Sequence, residues 1–445
     1  MNKNSKKIHN KIPILSIVLF ITIVTLISSI SNMISPNLLI ISNYFGFGGN
    51  TTPLGILTFS FTILTGIAML IFGFLADKII RKWIVFIGTI IFSIFSFATM
   101  FVPSGSIGYC LFFFLTIMTG IGYGALIPCI FSLMGDIVSK EDRSKGFSFF
   151  SISSLIGMAV GTGLATFLGS IDWRISYSII GIAGFISALL FIFFKEPSRA
   201  GKDYSYMLEK DAVEYTYRIN FSDLKVIFRK KANVWLIINF VDTIPTGIIL
   251  FLLFAYMEDY HGISSDVTLL FLILILLATL VGTIVFGFIG DKQFKQGSKK
   301  ARVKLALFGN IVPIPFIFIA LIIPFKAPDL IPGIIIWLIL FMIGIFINGA
   351  VNGNWYATVV DLNLPEHRGT VLATSNFFDI IGRAIGPLIG SIFADTFGFV
   401  YGMLISIFFW ILIPFFWIAV LKNIVSDMDA TEKIFTERLE SLIKK

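Results

Sequence analysis

The sequence predicts an all-α integral membrane protein of twelve transmembrane helices, arranged as two pseudo-symmetric bundles of six. Composition, run length and the placement of basic residues each lead there. The chain of 445 residues is 56% hydrophobic and only 13% charged, with a mean hydropathy of +0.92, whereas a soluble domain carries roughly 25% charged residues. Its solvent is therefore lipid, and at roughly 20 apolar residues per crossing the length accommodates about twelve crossings.

Apolar runs fall near residues 12–42, 53–76, 83–102, 107–134, 146–170, 173–194, 233–257, 267–290, 303–325, 331–359, 370–394 and 398–421. With the amino terminus placed inside, 31 of the 34 Lys and Arg residues occupy inner segments; only Arg174 and Lys326 lie outside, and Arg383 falls within a run. Basic residues collect on the cytoplasmic side of a membrane protein, and a miscounted helix would scramble the alternation beyond the error. Both chain ends are thus expected in the cytoplasm and the protein in the cell membrane.

A net charge of +8 is no nucleic-acid footprint here, because the basic residues sit in the inner segments between crossings. Lys3, Lys6, Lys7 and Lys11 precede a first run too long for a signal-peptide core, so it is expected to remain as the first helix. The longest polar stretch divides the chain. Residues 1–194 are expected to form the amino-terminal bundle, 195–232 a cytoplasmic linker, 233–421 the carboxyl-terminal bundle and 422–445 a cytoplasmic tail. In the linker, Leu224, Ile227 and Phe228 share a helical face flanked by Lys225, Arg229, Lys230 and Lys231, which suits either a helix on the inner leaflet or a solvated linker helix.

Cys110 and Cys129 both lie in apolar runs and form neither a disulfide framework nor a zinc site. His9, His261 and His367 fall in tails or loops, so no intramembrane relay is built from them. No G-x-x-x-x-G-K-S/T loop or nucleophile motif occurs, and no ATP, cofactor, metal or enzymatic activity is expected.

The two halves repeat local patterns. Gly73-Phe-Leu-Ala-Asp77-Lys78 follows the second run of one half, and Gly287-Phe-Ile-Gly-Asp291-Lys292 follows the second run of the other. Asp136, Glu141, Arg143, Gly157 and Gly161 recur as Asp361, Glu366, Arg368, Gly382 and Gly386, all at one offset of 225 residues. Gly73, Asp77, Lys78, Arg81 and Lys82 resemble the signature of the major facilitator superfamily between its second and third helices, with Ile80 where the family has a second glycine. The Glu141 to Arg143 and Glu366 to Arg368 loops are similar to a second hallmark of that family, one residue shorter. The resemblance covers the whole chain. It implies a secondary transporter that works by alternating access, with the charged loops latching the cytoplasmic side during part of the cycle.

Glu196-Pro197-Ser198-Arg199-Ala-Gly201 and the Asp223-Leu224 helix resemble the spinster-type lipid transporters and their bacterial relatives. Three positions depart from that pattern. Ser35 and Pro36 stand where those proteins carry an Asp-Arg pair in the first helix, Thr116 replaces an arginine, and Tyr123 replaces a glutamate. The proton-coupling site implied for the first half is therefore absent.

Three charged groups remain in the membrane interior: Asp242, Asp379 and Arg383. Each is a functional candidate, because a charge at bilayer depth is costly unless paired or wetted. Asp242 and Asp379 both sit about nine residues from the inner ends of their runs, roughly 13 Å deep at about 1.5 Å per residue. Asp379 and Arg383 are four apart on one face. They form a structural ion pair, or exchange protons together with Asp242, or bind a cationic substrate. Asn32, Ser35, Asn37, Asn239, Thr243, Asn348, Asn352, Asn354 and Asn376 are polar candidates around a cavity, or helix-packing contacts. Gly157 and Gly161, and Gly382, Gly386 and Gly390 beside Pro387, let helices approach closely. Antiporters of the resembled family carry a glycine and proline row in the fifth helix, whereas here the proline is in the other half.

The first half contributes almost no interior charge and Phe is abundant at 49 residues, so the expected substrate is hydrophobic or amphiphilic, such as a lysolipid, with protons as candidate coupling ions. A proton-coupled drug or metabolite exporter and a non-transporting sensor of the same fold are the rival readings. Expected partners are that substrate and the lipid bilayer, with no nucleic acid, and the chain is expected to act as a monomer.

Overall fold

The computed structural model describes residues 14–137, 143–196, 223–324 and 330–443, with side chains described for all of these but residues 14–17, 77, 135–137, 143–151, 330, 331, 439 and 441–443. No strand occurs among them. Lipid offers no water to satisfy a backbone N–H or C=O, and a helix satisfies both internally.

Eleven described helices are long and apolar enough to cross a membrane. One of them breaks at Asp172, whose φ of −162° and ψ of 115° are extended, giving twelve crossings. They are α1 (Val18–Tyr44), α2 (Thr52–Lys78), α3 (Arg81–Ala98), α4 (Gly105–Ile137), α5 (143–171), α6 (173–191), α7 (Lys231–His261), α8 (Ser265–Lys295), α9 (Ala301–Ile322), α10 (Pro332–Leu362), α11 (Pro365–Phe397) and α12 (Phe399–Ile443). An even number of crossings brings both chain ends to one side, called the terminal face below.

The glycine repeat has a direct structural meaning. Gly157 and Gly161 of α5 lie on the α1 backbone, where a Cβ on Gly157 would meet the Ser28 Cβ at 2.7 Å. In the other half, a Cβ on Gly386 of α11 would meet the Ile244 carbonyl oxygen of α7 at 2.6 Å. The α1–α5 and α7–α11 pairs are therefore equivalent, and small residues fuse each at backbone contact.

The terminal face of each half is laced by ions. Glu196, at the end of α6, accepts from the backbone N–H of Arg81 at 3.2 Å and of Lys82 at 3.0 Å, capping α3. It also pairs with the Arg81 Nε at 3.0 Å, and Arg81 Nη1 donates to Ser132 of α4 at 2.8 Å. In the second half Arg302 pairs with Asp291 at 2.6 Å and with Asp361. Asp291 and Asp361 are the repeat counterparts of Asp77 and Asp136, whose side chains lie outside those described, as do those of Glu141 and Arg143.

Residues 422–443 of the expected tail continue α12 as helix along the second half. Asp427 accepts from the backbone N–H of Ala232 at 2.9 Å, capping α7, and Lys299 pairs with Asp429 at 2.7 Å and Glu432 at 2.6 Å. Arg438 pairs with Glu366, and Lys230 donates to Leu362 O at 2.9 Å and Thr431 Oγ1 at 2.7 Å. The linker helix spans Asp223–Arg229 and buries Ile227 fully in the protein; linker residues 197–222 lie outside the described set.

Removing one partner of a buried ion pair leaves the other charge unsolvated. Arg81 has 3% of its side chain exposed, so Glu196→Ala is expected to destabilise the first half by about 3 kcal/mol. Thermal unfolding in detergent checks this, and Glu196→Gln, which keeps an acceptor for the α3 cap, should lose less.

Candidate functional site

The α7 helix tightens into a 3₁₀ turn at Asn239–Asp242 before resuming at Thr243. Pro245 explains the change, since it has no N–H to offer Val241 and its ring crowds that carbonyl. The turn presents Asp242, whose Oδ2 accepts from Asn239 Nδ2 at 2.9 Å, while Asn239 Oδ1 is buried without a hydrogen-bond partner.

One turn on, the Thr243 hydroxyl lies 2.8 Å from Phe240 O and 3.0 Å from the backbone oxygen of Asp379, tying α7 to α11 at the depth of both acids. Gly382 makes room for that contact, since a Cβ there would lie on the Thr243 hydroxyl. Asp242 and Asp379 are thus carried by one rigid helix pair.

Asp379 and Arg383 do not form the ion pair that their spacing suggests: no N···O distance between these two described residues falls within 4.0 Å. Arg383 is exposed and acts electrostatically on Asp242, Asp379, Tyr356 of α10 and Tyr123 of α4. Tyr356 donates to Asn376 Oδ1 at 3.3 Å. Across from this charged wall, Tyr123 lies against Ser31 and stacks on Phe61 of α2 at 6.3 Å between centroids. The second half therefore supplies the charge, with Tyr356 beside it, and the first half supplies Tyr123, Phe61 and Ser31.

The remaining candidates separate by place. Asn352 is exposed one turn before Tyr356, on the stripe that Asn348 begins, and Asn32 is half-buried at the break in α1. Asn348 itself donates to Gly309 O at 3.1 Å and Asn354 to Ala350 O at 2.8 Å, both packing contacts within the second half. Asn37 donates to Ala165 O of α5 at 2.8 Å. Ser35 lies outside the charged cluster, donating to Phe251 O of α7 at 3.0 Å.

The loop residues brace their own half. Gly73 faces Pro128 of α4, the Lys78 ammonium sits 4.1 Å from the Phe74 ring centroid, and Lys82 Nζ donates to Ile192 O at 2.7 Å. Arg368 Nε donates to Val360 O at 3.0 Å and Asn363 O at 3.1 Å, closing the α10–α11 turn. His261 and His367, read as loop residues, end and begin the helices α7 and α11, and both are buried.

Between described residues, the hydrogen bonds that join the halves all lie on the side opposite the chain ends, at Ser35–Phe251, Ser265–Pro36 and Thr51/Thr52–Asp395. The close approach of α2 to α11 continues inward to Gly66, where a Cβ would be 2.9 Å from Ile380. Asp379 adjoins Ile380 in sequence, so the charged cluster lies beside that contact.

A bundle of two six-helix repeats of membrane-length helices, with ionisable groups between the helix ends, belongs to the transporter class. The Major Facilitator Superfamily profile matches residues 19–378, and the chain belongs to that family. It is 27% identical over 201 residues to "Protein spinster" of Drosophila melanogaster, covering 43% of this chain and 30% of the relative. It is 26% identical over 141 residues to "Quinolone resistance protein NorA" of Staphylococcus aureus, covering 32% of this chain and 35% of the relative. The chain thus matches about a third of the length of these curated relatives. The fold is similar to that of a bacterial homolog of the human lysosomal transporter Spinster, in an inward-facing and occupied conformation, with a TM-score of 0.77 at 16% identity over 93% of this chain and 97% of that one. A D-xylose-proton symporter is similar with a TM-score of 0.70 at 15% identity, covering 91% and 97%.

Because no ion pair joins them, Asp379 and Arg383 contribute little to stability through each other. Asp379→Asn is expected to leave the unfolding temperature within a few degrees of the parent; a fall as large as that expected for Glu196→Ala would reinstate a structural pair.

Proposed function

We propose that this protein is a secondary active transporter of the cell membrane, with its terminal face cytoplasmic, that moves a hydrophobic or amphiphilic small molecule by alternating access. The single observation carrying this reading is the cluster of Asp242, Asp379 and Arg383 beside the α2–α11 contact that joins the halves. In that reading the described conformation opens toward the cytoplasm.

Asp242 and Asp379 gain and lose protons as water reaches them from alternate sides, and Arg383 competes with the proton for the carboxylates. The substrate rests between this charged wall and the Tyr123, Phe61 and Ser31 wall. Aromatic faces bury apolar surface while a few polar groups orient the ligand, which suits an amphiphile better than a sugar. Local similarity to the quinolone resistance protein favours a lipophilic drug or metabolite as a second substrate class.

Flux into proteoliposomes, measured across a panel of lysolipids and lipophilic solutes with and without an imposed pH gradient, tests the reading. Asp242→Asn and Asp379→Asn are expected to abolish the dependence on the gradient while preserving exchange at equal pH. Gradient-driven flux unchanged in both variants would overturn the coupling role; absence of any flux in the parent would favour a sensor.

A further inference from the structure

We propose that Asp395 of α11 is the lock of the face opposite the chain ends, capping the α2 helix of the other half. The four bonds are explicit. Asp395 Oδ1 accepts from the Thr51 N–H at 2.8 Å and the Thr51 hydroxyl at 2.8 Å. Oδ2 accepts from the Thr52 N–H at 2.7 Å and the Thr52 hydroxyl at 2.6 Å. The first N–H groups of a helix have no internal partner, and a carboxylate there gains both charge-assisted bonds and the helix dipole.

What sets this cap apart is that the cap and the helix belong to opposite halves. Thr51 is the N-cap residue of α2, yet its side chain makes no capping bond to its own helix. Its hydroxyl points at Asp395 instead. The bonds exist only while α2 and α11 touch, so their free energy counts toward the closed face alone. One turn deeper, the Gly55 Cα presses on α11, where a Cβ would be 2.8 Å from Pro387 O. The flanking contacts, Ser35 to Phe251 O at 3.0 Å and Ser265 to Pro36 O at 3.5 Å, are hydroxyls on neutral carbonyls. Among the hydrogen bonds that join the halves between described residues, those to Asp395 are thus the ones made by a carboxylate.

Opening does not strand every donor. Once Asp395 withdraws, the Thr51 hydroxyl is free to turn inward and cap its own helix, as Thr does at this position. The threonine accordingly has one use in each conformation, while the carboxylate has a use in one. Removing the carboxylate should therefore shift the equilibrium toward the open face without unfolding α2.

The lock is read by distance, independent of any substrate. Spin labels on Asn43→Cys and Thr396→Cys, with Cys110 and Cys129 replaced by Ala, report the separation of the halves in liposomes by pulsed electron resonance. Asp395→Asn, which keeps the size but turns an amide N–H₂ toward the donors, is expected to raise the ratio of long to short distances at least tenfold. Thr51→Val with Thr52→Val, which leaves the carboxylate and both backbone donors, is expected to raise it several-fold and serves where Asp395→Asn does not fold. An unchanged distance distribution in either folded variant overturns the proposal. The proposal rests on alternating access only for its consequence on flux: a shifted distribution with no transport of any solute would sustain the lock and count against the transport reading.

Discussion

A membrane interior has no water with which to satisfy a polar group, and nearly every polar feature of this protein answers to that constraint. It makes every described crossing helical. It also makes each ion seek a partner inside the chain or a position at the membrane surface. Glu196 beside Arg81, and Arg302 between Asp291 and Asp361, are the surface solution, placed where helices turn. Asp242, Asp379 and Arg383 lie instead within the helices, and no ion pair joins the last two.

The glycine rows answer the same constraint from the apolar side. Without a hydrophobic force to press helices together in lipid, contact has to come from fit. Gly157 and Gly161 bring α5 onto α1, and Gly382 and Gly386 bring α11 onto α7. Only because α7 and α11 meet at backbone distance does Thr243 reach the Asp379 carbonyl, so the placement of two acids at one depth depends on residues that have no side chain.

Much of the fold was legible in the sequence, because each helix must cross an apolar slab of fixed thickness and basic residues must stay on one side. The break between α5 and α6, the two repeats and the midplane charges are written in single residues such as Asp172 and Asp379. The site was legible only in part. The spacing of Asp379 and Arg383 allowed an ion pair as one of three readings, but side-chain direction decides pairing, and that is not encoded in an interval of four. Tyr356 escaped notice as one more aromatic in an apolar run, although it lies one turn beyond Asn352 on the Asn348 stripe. Arg302 was hidden because the loop before α9 is longer than its counterpart before α3. Asp395 looked like a loop acid, since its partners Thr51 and Thr52 are more than 340 residues away.

The continuation of α12 to Ile443 distinguishes the two halves. At about 1.5 Å per residue its 45 residues extend roughly 68 Å, against a hydrocarbon thickness of roughly 30 Å. The excess grips the ends of α7, α10 and α11 and the loop before α9 through Asp427, Thr431, Lys299 and Arg438. The two bundles pack alike at their glycine rows, and this extension makes them unequal. The half that this extension braces is the one that carries Asp242 and Asp379.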